Sequence, residues 1–272
     1  MSAKLPLFVD AEQLNAAISD VQIVAIDSPQ DYAQAHIPGA LQITMADFTT
    51  GAPPVAGLLP DAQQLAEAFS DAGLCNDAHI VAYDRAGDSQ AARLLYTLDV
   101  MGHDRISLLD GGLAAWHEAG LTLESGPPQD GASSFKVERR PEGIADREWI
   151  QAHLDDPDVA FLDVRSAPEY AGADVRSARG GHIPGAINLD WNLLKGPDGR
   201  LRPRSELLQV IAEHDVESEH DIVNYCQSHM RSSYSYLVLK YLGFDKVRGY
   251  PGAWSDWGNA PDTPVSDTLD AS

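Results

Sequence analysis

Short apolar runs alternate along this chain with longer stretches in which apolar residues recur every three or four positions. The runs Gln22 to Ile26, Ile80 to Tyr83 and Ile106 to Leu109, and later Val159 to Leu162, Ile222 to Tyr225 and Lys246 to Arg248, have the length and composition of buried strands. Helical spacing runs through Asp61 to Ala72, Gln90 to Met101, Ser205 to Glu213 and Ser232 to Leu242. Asp10 and Asp146 stand where the N-caps of two further helices are expected. Strands alternating with helices predict an α/β protein with parallel sheets covered by helices on both faces. In such sheets the reactive groups gather at the carboxyl ends of the strands.

The pattern occurs twice. Val24-Ala25-Ile26-Asp27, Tyr32 and Ala35-His36-Ile37-Pro38-Gly39-Ala40 are matched by Ala160-Phe161-Leu162-Asp163, Tyr170 and Gly181-His182-Ile183-Pro184-Gly185-Ala186. Pairing Asp27 with Asp163 gives an offset of 163 − 27 = 136, and the histidines give 182 − 36 = 146. The second half therefore carries an expected ten-residue insertion around Ala171 to Gly180. Further on, Leu109 to Trp116 parallels Tyr250 to Trp257. Two domains follow: residues 1–124, a linker over 125–140 rich in Pro, Gly and Ser, and residues 141–272. The polar stretch from Ala260 to the end is expected to form a loose or surface-lying tail.

With 272 residues the chain is long enough for two domains of ordinary size. Its net charge of −22, from 41 acidic and 19 basic residues, argues against nucleic acid or an anionic membrane as partner. Any anionic substrate would need a locally positive site. The first residues lack the apolar core of a signal peptide, and no stretch reaches transmembrane length, so a cytoplasmic protein is expected. Cys75 and Cys226 lie in different halves and do not suggest a disulfide framework. Two fused domains are consistent with a monomer.

Cys226 ends the strand Ile222-Val223-Asn224-Tyr225 and is followed by the polar loop Gln227-Ser228-His229-Met230-Arg231 and a helix. Such a turn surrounds the sulfur with backbone N–H groups and the positive end of the helix, and Arg231 adds a permanent charge. Both favour the thiolate, the nucleophilic form. Arg231 is a candidate to hold a sulfonate-like group, or else pairs with an acid. Gln227 and Ser228 are candidates for substrate contacts through the loop. His229 is expected to face solvent or shape the site rather than act as general base. Arg176 and Arg179, in the insertion, are candidates to border the pocket and offset the acidic background. The first half has Asp84 at the position of Cys226, in Ile80-Val81-Ala82-Tyr83-Asp84, which predicts an inactive half. His36 and His182 repeat in both halves and are expected to be structural; Cys75 is expected to be a partly buried bystander. No metal or cofactor site is indicated.

The motifs Asp163-Val164-Arg165, Glu169-Tyr170, Gly181 to Ala186, the Cys226 loop and Tyr250 to Trp257 resemble the rhodanese family in its tandem-domain sulfurtransferase form. The loop Cys226-Gln227-Ser228-His229-Met230-Arg231 is similar to the Cys-Gln-Thr-His-His-Arg form of bacterial thiosulfate:cyanide sulfurtransferases, with Ser228 for Thr and Met230 for the second His. The resemblance implies two rhodanese-like domains, a Cys226 persulfide, thiosulfate as donor, cyanide or another thiophile as acceptor, ping-pong kinetics and no cofactor. It leaves open a 3-mercaptopyruvate donor or a persulfide carrier serving a partner protein. A cysteine phosphatase fits less well: four residues separate Cys226 from Arg231, against the five of a phosphate-sized ring.

Overall fold

Branched aliphatic residues fill the central strands, and both sheets place them where neither face meets water. In the computed structural model, which describes residues 5–128 and 131–267, the chain divides into two compact units. One comprises the chain up to Thr49 together with Leu59–Arg140; the other comprises Thr50–Leu58 together with the chain from Pro141 onward.

The first unit holds the strands β1 (Phe8–Val9), β2 (Gln22–Ile26), β3 (Leu41–Ile43), β4 (Ile80–Tyr83) and β5 (Ile106–Leu109), in the order β1-β5-β4-β2-β3. Every pairing is parallel. All four residues of β4 are buried, as a strand covered on both faces requires. The second unit repeats the order with β6 (Val159–Asp163), β7 (Ile187–Asn188), β8 (Asp221–Tyr225) and β9 (Val247–Gly249), arranged β7-β6-β8-β9 and again all parallel. A single parallel bridge from Ile144 to Gly249 stands where the first unit has β1. Each unit is therefore a parallel α/β sheet with flanking helices. The expected strands and helices are present to within about a residue of their expected ends; Asp10 and Asp146 cap their helices by accepting from Gln13 N–H and Trp149 N–H.

The register corrects the equivalence of Asp27 and Asp163. Ala25 lies opposite Tyr83, and Asp163 lies opposite Tyr225. Asp163 thus occupies the place of Ala25, at an offset of 163 − 25 = 138, which is also the offset of Tyr170 from Tyr32. All the extra length then falls between Tyr170 and His182, and it is 146 − 138 = 8 residues rather than ten. Two acidic residues near strand ends had masked a two-residue shift.

Shared internal bonds hold the two units in the same shape. His36 and His182 each use Nδ1 on the carbonyl of the tyrosine that precedes them, Tyr32 or Tyr170, at 2.8 and 2.9 Å, and each ring stacks on that tyrosine. The hydroxyls of Tyr83 and Tyr225, at the ends of β4 and β8, accept the N–H of Ile37 and Ile183, both at 3.1 Å. These histidines brace the turn that follows them.

The expected linker and the expected surface-lying tail are both anchored. Of the expected linker, Phe135 is buried edge-on against Phe69, and Ser133 N–H donates to Ser70 O; the segment packs on the first unit because it carries an aromatic side chain that fills the core. Gln129 and Asp130 lie outside the described residues. Residues 260–267 are tied down as well: Ser266 and His182 exchange backbone hydrogen bonds, and Trp257 Nε1 donates to Pro264 O. The residues after Asp267 lie outside the described residues.

Candidate active site at Cys226

Cys226 follows β8 directly, so the strand delivers its sulfur to the carboxyl edge of the sheet. The thiol is buried. The helix Arg231–Leu242 starts five residues later, with its N-terminus toward the loop. Asn224 anchors that helix from the strand: its Nδ2 donates to Ser232 O at 2.6 Å and to Ser235 Oγ at 3.0 Å. On the other flank, Trp254 N–H donates to Cys226 O at 3.0 Å and Ser255 N–H to Gln227 O at 2.8 Å. The short helix Ala253–Trp257 thereby holds the first two carbonyls of the loop.

The first unit shows what such a loop can hold. At an offset of 142, Asp84 replaces Cys226, and the carbonyls of Asp84 and Arg85 are held by the N–H groups of Leu113 and Ala114 in the same manner. The Asp84 carboxylate accepts from five backbone N–H groups. Oδ1 takes Ala86 at 2.9 Å, Gly87 at 2.5 Å and Asp88 at 3.1 Å, and Oδ2 takes Gln90 and Ala91 at 3.0 Å each, with Asp88 also within 3.3 Å. Burial and the neighbouring Asp88 push its pKa up, and the amides oppose that push. Because all these contacts donate to it, the ring suits the ionised carboxylate. It is an anion nest. Its amides correspond to those of Ser228, His229, Met230, Ser232 and Ser233 around Cys226.

The loops differ at two points of closest approach. Gly87 has φ +70°, and a β-carbon there would fall 2.1 Å from Gly112 N; Gly112 has φ +55°, and its β-carbon would fall 2.2 Å from Asp84 O. The corresponding residues of the second unit are His229, φ +56°, and Ala253, φ +50°. Both keep the left-handed backbone but carry side chains. At the Asp84 ring Gly87 and Gly112 meet backbone to backbone, whereas at the Cys226 ring the same two positions carry side chains.

Arg231 reaches back over this ring. Its two Nη atoms bond Glu169 Oε2 at 2.7 Å and Oε1 at 2.8 Å, a two-point pair with a carboxylate that is almost wholly buried. Ser166 N–H and Oγ also donate to Glu169 Oε2. Burial alone would raise the Glu169 pKa; the Arg231 hydrogen bonds and charge outweigh it and bring it down to about 2. Burial would lower the Arg231 pKa, but the bond to Glu169 and the charge of the adjacent Cys226 sulfur hold it above its ordinary range. Sequence reasoning noted Glu169 only as part of a motif. Its signal was the capping box that begins at Ser166, which fixes the carboxylate at the site's edge.

Beneath the site, Arg165 and Asp163 form a buried pair, with Nη2 to Oδ2 at 2.6 Å and Nε to both oxygens at 3.0 Å. Arg165 also donates to Gly181 O at 2.7 Å, and its guanidinium lies 4.5 Å from the Trp254 ring. This pair ties β6, the His182 turn and the helix that holds Cys226 O.

The other candidates separate clearly. Arg176 borders the site: its Nε lies 3.6 Å from Glu169 Oε1, it pairs with Asp174, and its side chain is half exposed. Gln227 turns toward the insertion, donating to Ser177 Oγ at 3.1 Å. Ser228 lies on the loop itself. Arg179 does not line the site. Its guanidinium donates to the carbonyls of Trp257, Ala260 and Thr263 and to Thr263 Oγ1, so it clamps the segment after Trp257. Nor does His229 face solvent: it is fully buried, with Nδ1 2.7 Å from Ser232 Oγ, because a positive φ turns it into the loop. Cys75 is exposed rather than partly buried. Among the described residues no cluster of metal-ligating side chains occurs, and no helix is long and apolar enough to cross a membrane.

The rhodanese-like domain pattern matches residues 10–119 and 146–260. The chain belongs to the rhodanese family. It is 38% identical over 267 residues to a thiosulfate sulfurtransferase of Azotobacter vinelandii, covering 97% of this chain and 98% of that protein. It is 37% identical to a thiosulfate sulfurtransferase of Pseudomonas aeruginosa, covering 96% and 97%. Among solved structures, the 3-mercaptopyruvate sulfotransferase of Escherichia coli, described as having the rhodanese fold, superposes with a TM-score of 0.83 at 28% identity over 92% of this chain and 99% of that one. The tandem rhodanese arrangement accounts for the two matching sheets, and this protein is a sulfurtransferase.

Proposed function

We propose that this rhodanese transfers the outer sulfur of thiosulfate to cyanide or another thiophilic acceptor through a persulfide on Cys226. The reading is supported most by the Asp84 ring, where a loop of the same path holds an anion on five amides. A persulfide on Cys226 places its terminal, negatively charged sulfur within the equivalent ring.

In the first step the Cys226 thiolate attacks the outer sulfur of thiosulfate. A Cys226–sulfur bond forms, the sulfur–sulfur bond of thiosulfate breaks, and its electron pair leaves with sulfite. In the second step the acceptor attacks the terminal sulfur; with cyanide, thiocyanate leaves and the Cys226 thiolate returns. Charge is conserved in each step, and neither an oxidant nor a proton donor is consumed. The free and sulfur-loaded forms alternate, which gives ping-pong kinetics.

The loop N–H groups stabilise the anionic sulfur before and after transfer, as preorganised dipoles that need no rearrangement. Arg231 contributes its charge, fixed in direction by Glu169. That anchoring changes the role expected of Arg231: both Nη atoms already meet Glu169, so it acts on the Cys226 sulfur and less as a free sulfonate clamp. Arg176 is the exposed cation at the rim and the better placed of the two insertion arginines to meet an incoming anionic donor.

Intact mass spectrometry after incubation with thiosulfate tests the reading. The expected result is a gain of one sulfur atom, lost again on adding cyanide; no gain from thiosulfate overturns it. A parallel incubation with 3-mercaptopyruvate ranks the donors, which matters because the related Escherichia coli structure is described by that activity.

A further inference from the structure

One segment of the second unit comes from far upstream in the sequence. Thr50–Leu58 closes on itself: Thr50 and Leu58 exchange backbone hydrogen bonds at 2.9 and 3.0 Å, and Val55 N–H donates to Ala52 O at 2.9 Å. The tip, Gly51-Ala52-Pro53-Pro54, is exposed. The returning limb lies on the Cys226 loop as a strap.

Two contacts fasten it. Ser255 Oγ accepts Ala56 N–H at 3.0 Å and has the carbonyls of Ala56, at 3.0 Å, and Gly252, at 2.8 Å, as acceptors for its own proton. The N–H of the same Ser255 donates to Gln227 O, so one residue links the strap to the residue after Cys226. The second contact is Gly57, with φ +79°. A β-carbon there would fall 2.3 Å from Ser228 O and 3.2 Å from Pro251 O. Strap and catalytic loop meet backbone to backbone at a place only glycine fits.

The Ser228 carbonyl shares a rigid peptide plane with the His229 N–H, and within that plane the two point in opposite directions. His229 N–H is the counterpart of Gly87 N–H, which makes the 2.5 Å bond to the Asp84 carboxylate. Whatever fixes the direction of the Ser228 carbonyl therefore fixes that of a nest donor. We propose that the strap Thr50–Leu58 is a positioning element of the sulfur-transfer site: Gly57 and Ser255 set the Ser228–His229 peptide and thereby stabilise the persulfide on Cys226. The proposal rests on the sulfur-transfer reading above.

The test compares Gly57→Ala, Ser255→Ala and Ser255→Thr with the parent, all carrying Cys75→Ser. Three quantities are measured: kcat and KM for thiosulfate, thermal unfolding, and the lifetime of the sulfur-loaded form by intact mass after thiosulfate is removed. Gly57→Ala is expected to lower kcat about tenfold or more with KM within about twofold, and to shorten the loaded form's lifetime, as for a misdirected oxyanion-hole donor. Ser255→Ala is expected to move both in the same direction by about threefold, and Ser255→Thr to restore them. Unchanged kcat and lifetime per folded molecule in the variants, with only a lower unfolding temperature, would overturn the proposal. Should Gly57→Ala fail to fold, the two Ser255 variants decide. A parent that takes up no sulfur sinks the sulfur-transfer reading itself; a parent that loads normally beside indifferent variants sinks only the strap.

Discussion

The Asp84 loop and the Cys226 loop are one backbone put to two uses. Both follow a strand whose last four residues are buried, both pass through a left-handed residue three positions on, and both have their first two carbonyls held by a short helix downstream. In the first unit the anion is built in, and Gly87 meets Gly112 backbone to backbone beside it. In the second unit the side chain is a thiol, two glycines are replaced by His229 and Ala253, and an arginine stands at the helix start. The two loops ask whether an anion nest is sufficient for sulfur chemistry. What the second unit adds is a thiol at the centre of the loop and a cation at the start of the following helix.

The comparison breaks most sharply at the nucleophile. Cys226→Ser is expected to abolish sulfur transfer while the protein still folds; residual transfer above about a tenth of the parent rate would contradict the covalent mechanism. Adding Asp84→Cys to that variant, with Cys75→Ser to silence the exposed thiol, places a sulfur in the first unit's ring. Intact mass after thiosulfate should show no gain, because Ser89 stands where the second unit has Arg231 and no cation faces the sulfur from the helix start. Uptake of a sulfur would mean that the nest alone suffices.

Glu169→Gln comes next. It leaves Arg231 without its counter-charge, and kcat/KM for thiosulfate should fall about tenfold or more. Removing one partner of such a buried pair also costs about 3 kcal/mol of stability, readable in a urea melt. The pH dependence follows from the same carboxyl group. Its pKa falls from the ordinary 4.5 to about 2 on folding. The stabilisation it supplies is thus complete above pH 4.5 and is lost as pH drops from there toward about 2. In Glu169→Gln this part of the acid limb should flatten; a limb identical to the parent's would assign it to other groups.

Arg179→Ala should separate structure from chemistry. The unfolding temperature should drop, since several carbonyls lose their donor, while KM for thiosulfate stays within about twofold. A clear rise in KM would return Arg179 to the donor site. The smallest effect belongs to Cys75→Ser, whose exposed sulfur makes 3.7 Å contacts with Gln22 and Gly73; kcat/KM should match the parent.

Much of this fold was legible because buried parallel strands read as continuous apolar runs. Ile80 to Tyr83 could be assigned from sequence for that reason, whereas Ile187–Asn188, two residues at a sheet edge, carry no periodicity. The duplication exposed Cys226 directly by setting it against Asp84. It misled where a like residue sat two positions away, as with Asp27 and Asp163, since only strand register separates them. Charges were the hardest to place. Arg176 and Arg179 are three residues apart in one irregular segment, yet one borders the site and the other is enclosed by carbonyls. No local pattern encodes that difference, because the partners of Arg179 lie some eighty residues downstream. Glu169 was missed as a partner of Arg231 for the same reason of distance, its one local signal being its place three residues after Ser166.

The clamp on the residues after Trp257 bears on where the chain can be shortened or extended. Ending it before Ala260 would leave the Arg179 guanidinium buried among fewer acceptors and deprive the Trp257 indole and the His182 amide of their carbonyl partners. An affinity tag joined directly at Gly258 would therefore unsettle the same turn that Arg165 and Tyr225 brace from below, whereas one fused beyond Asp267 leaves every one of these bonds in place.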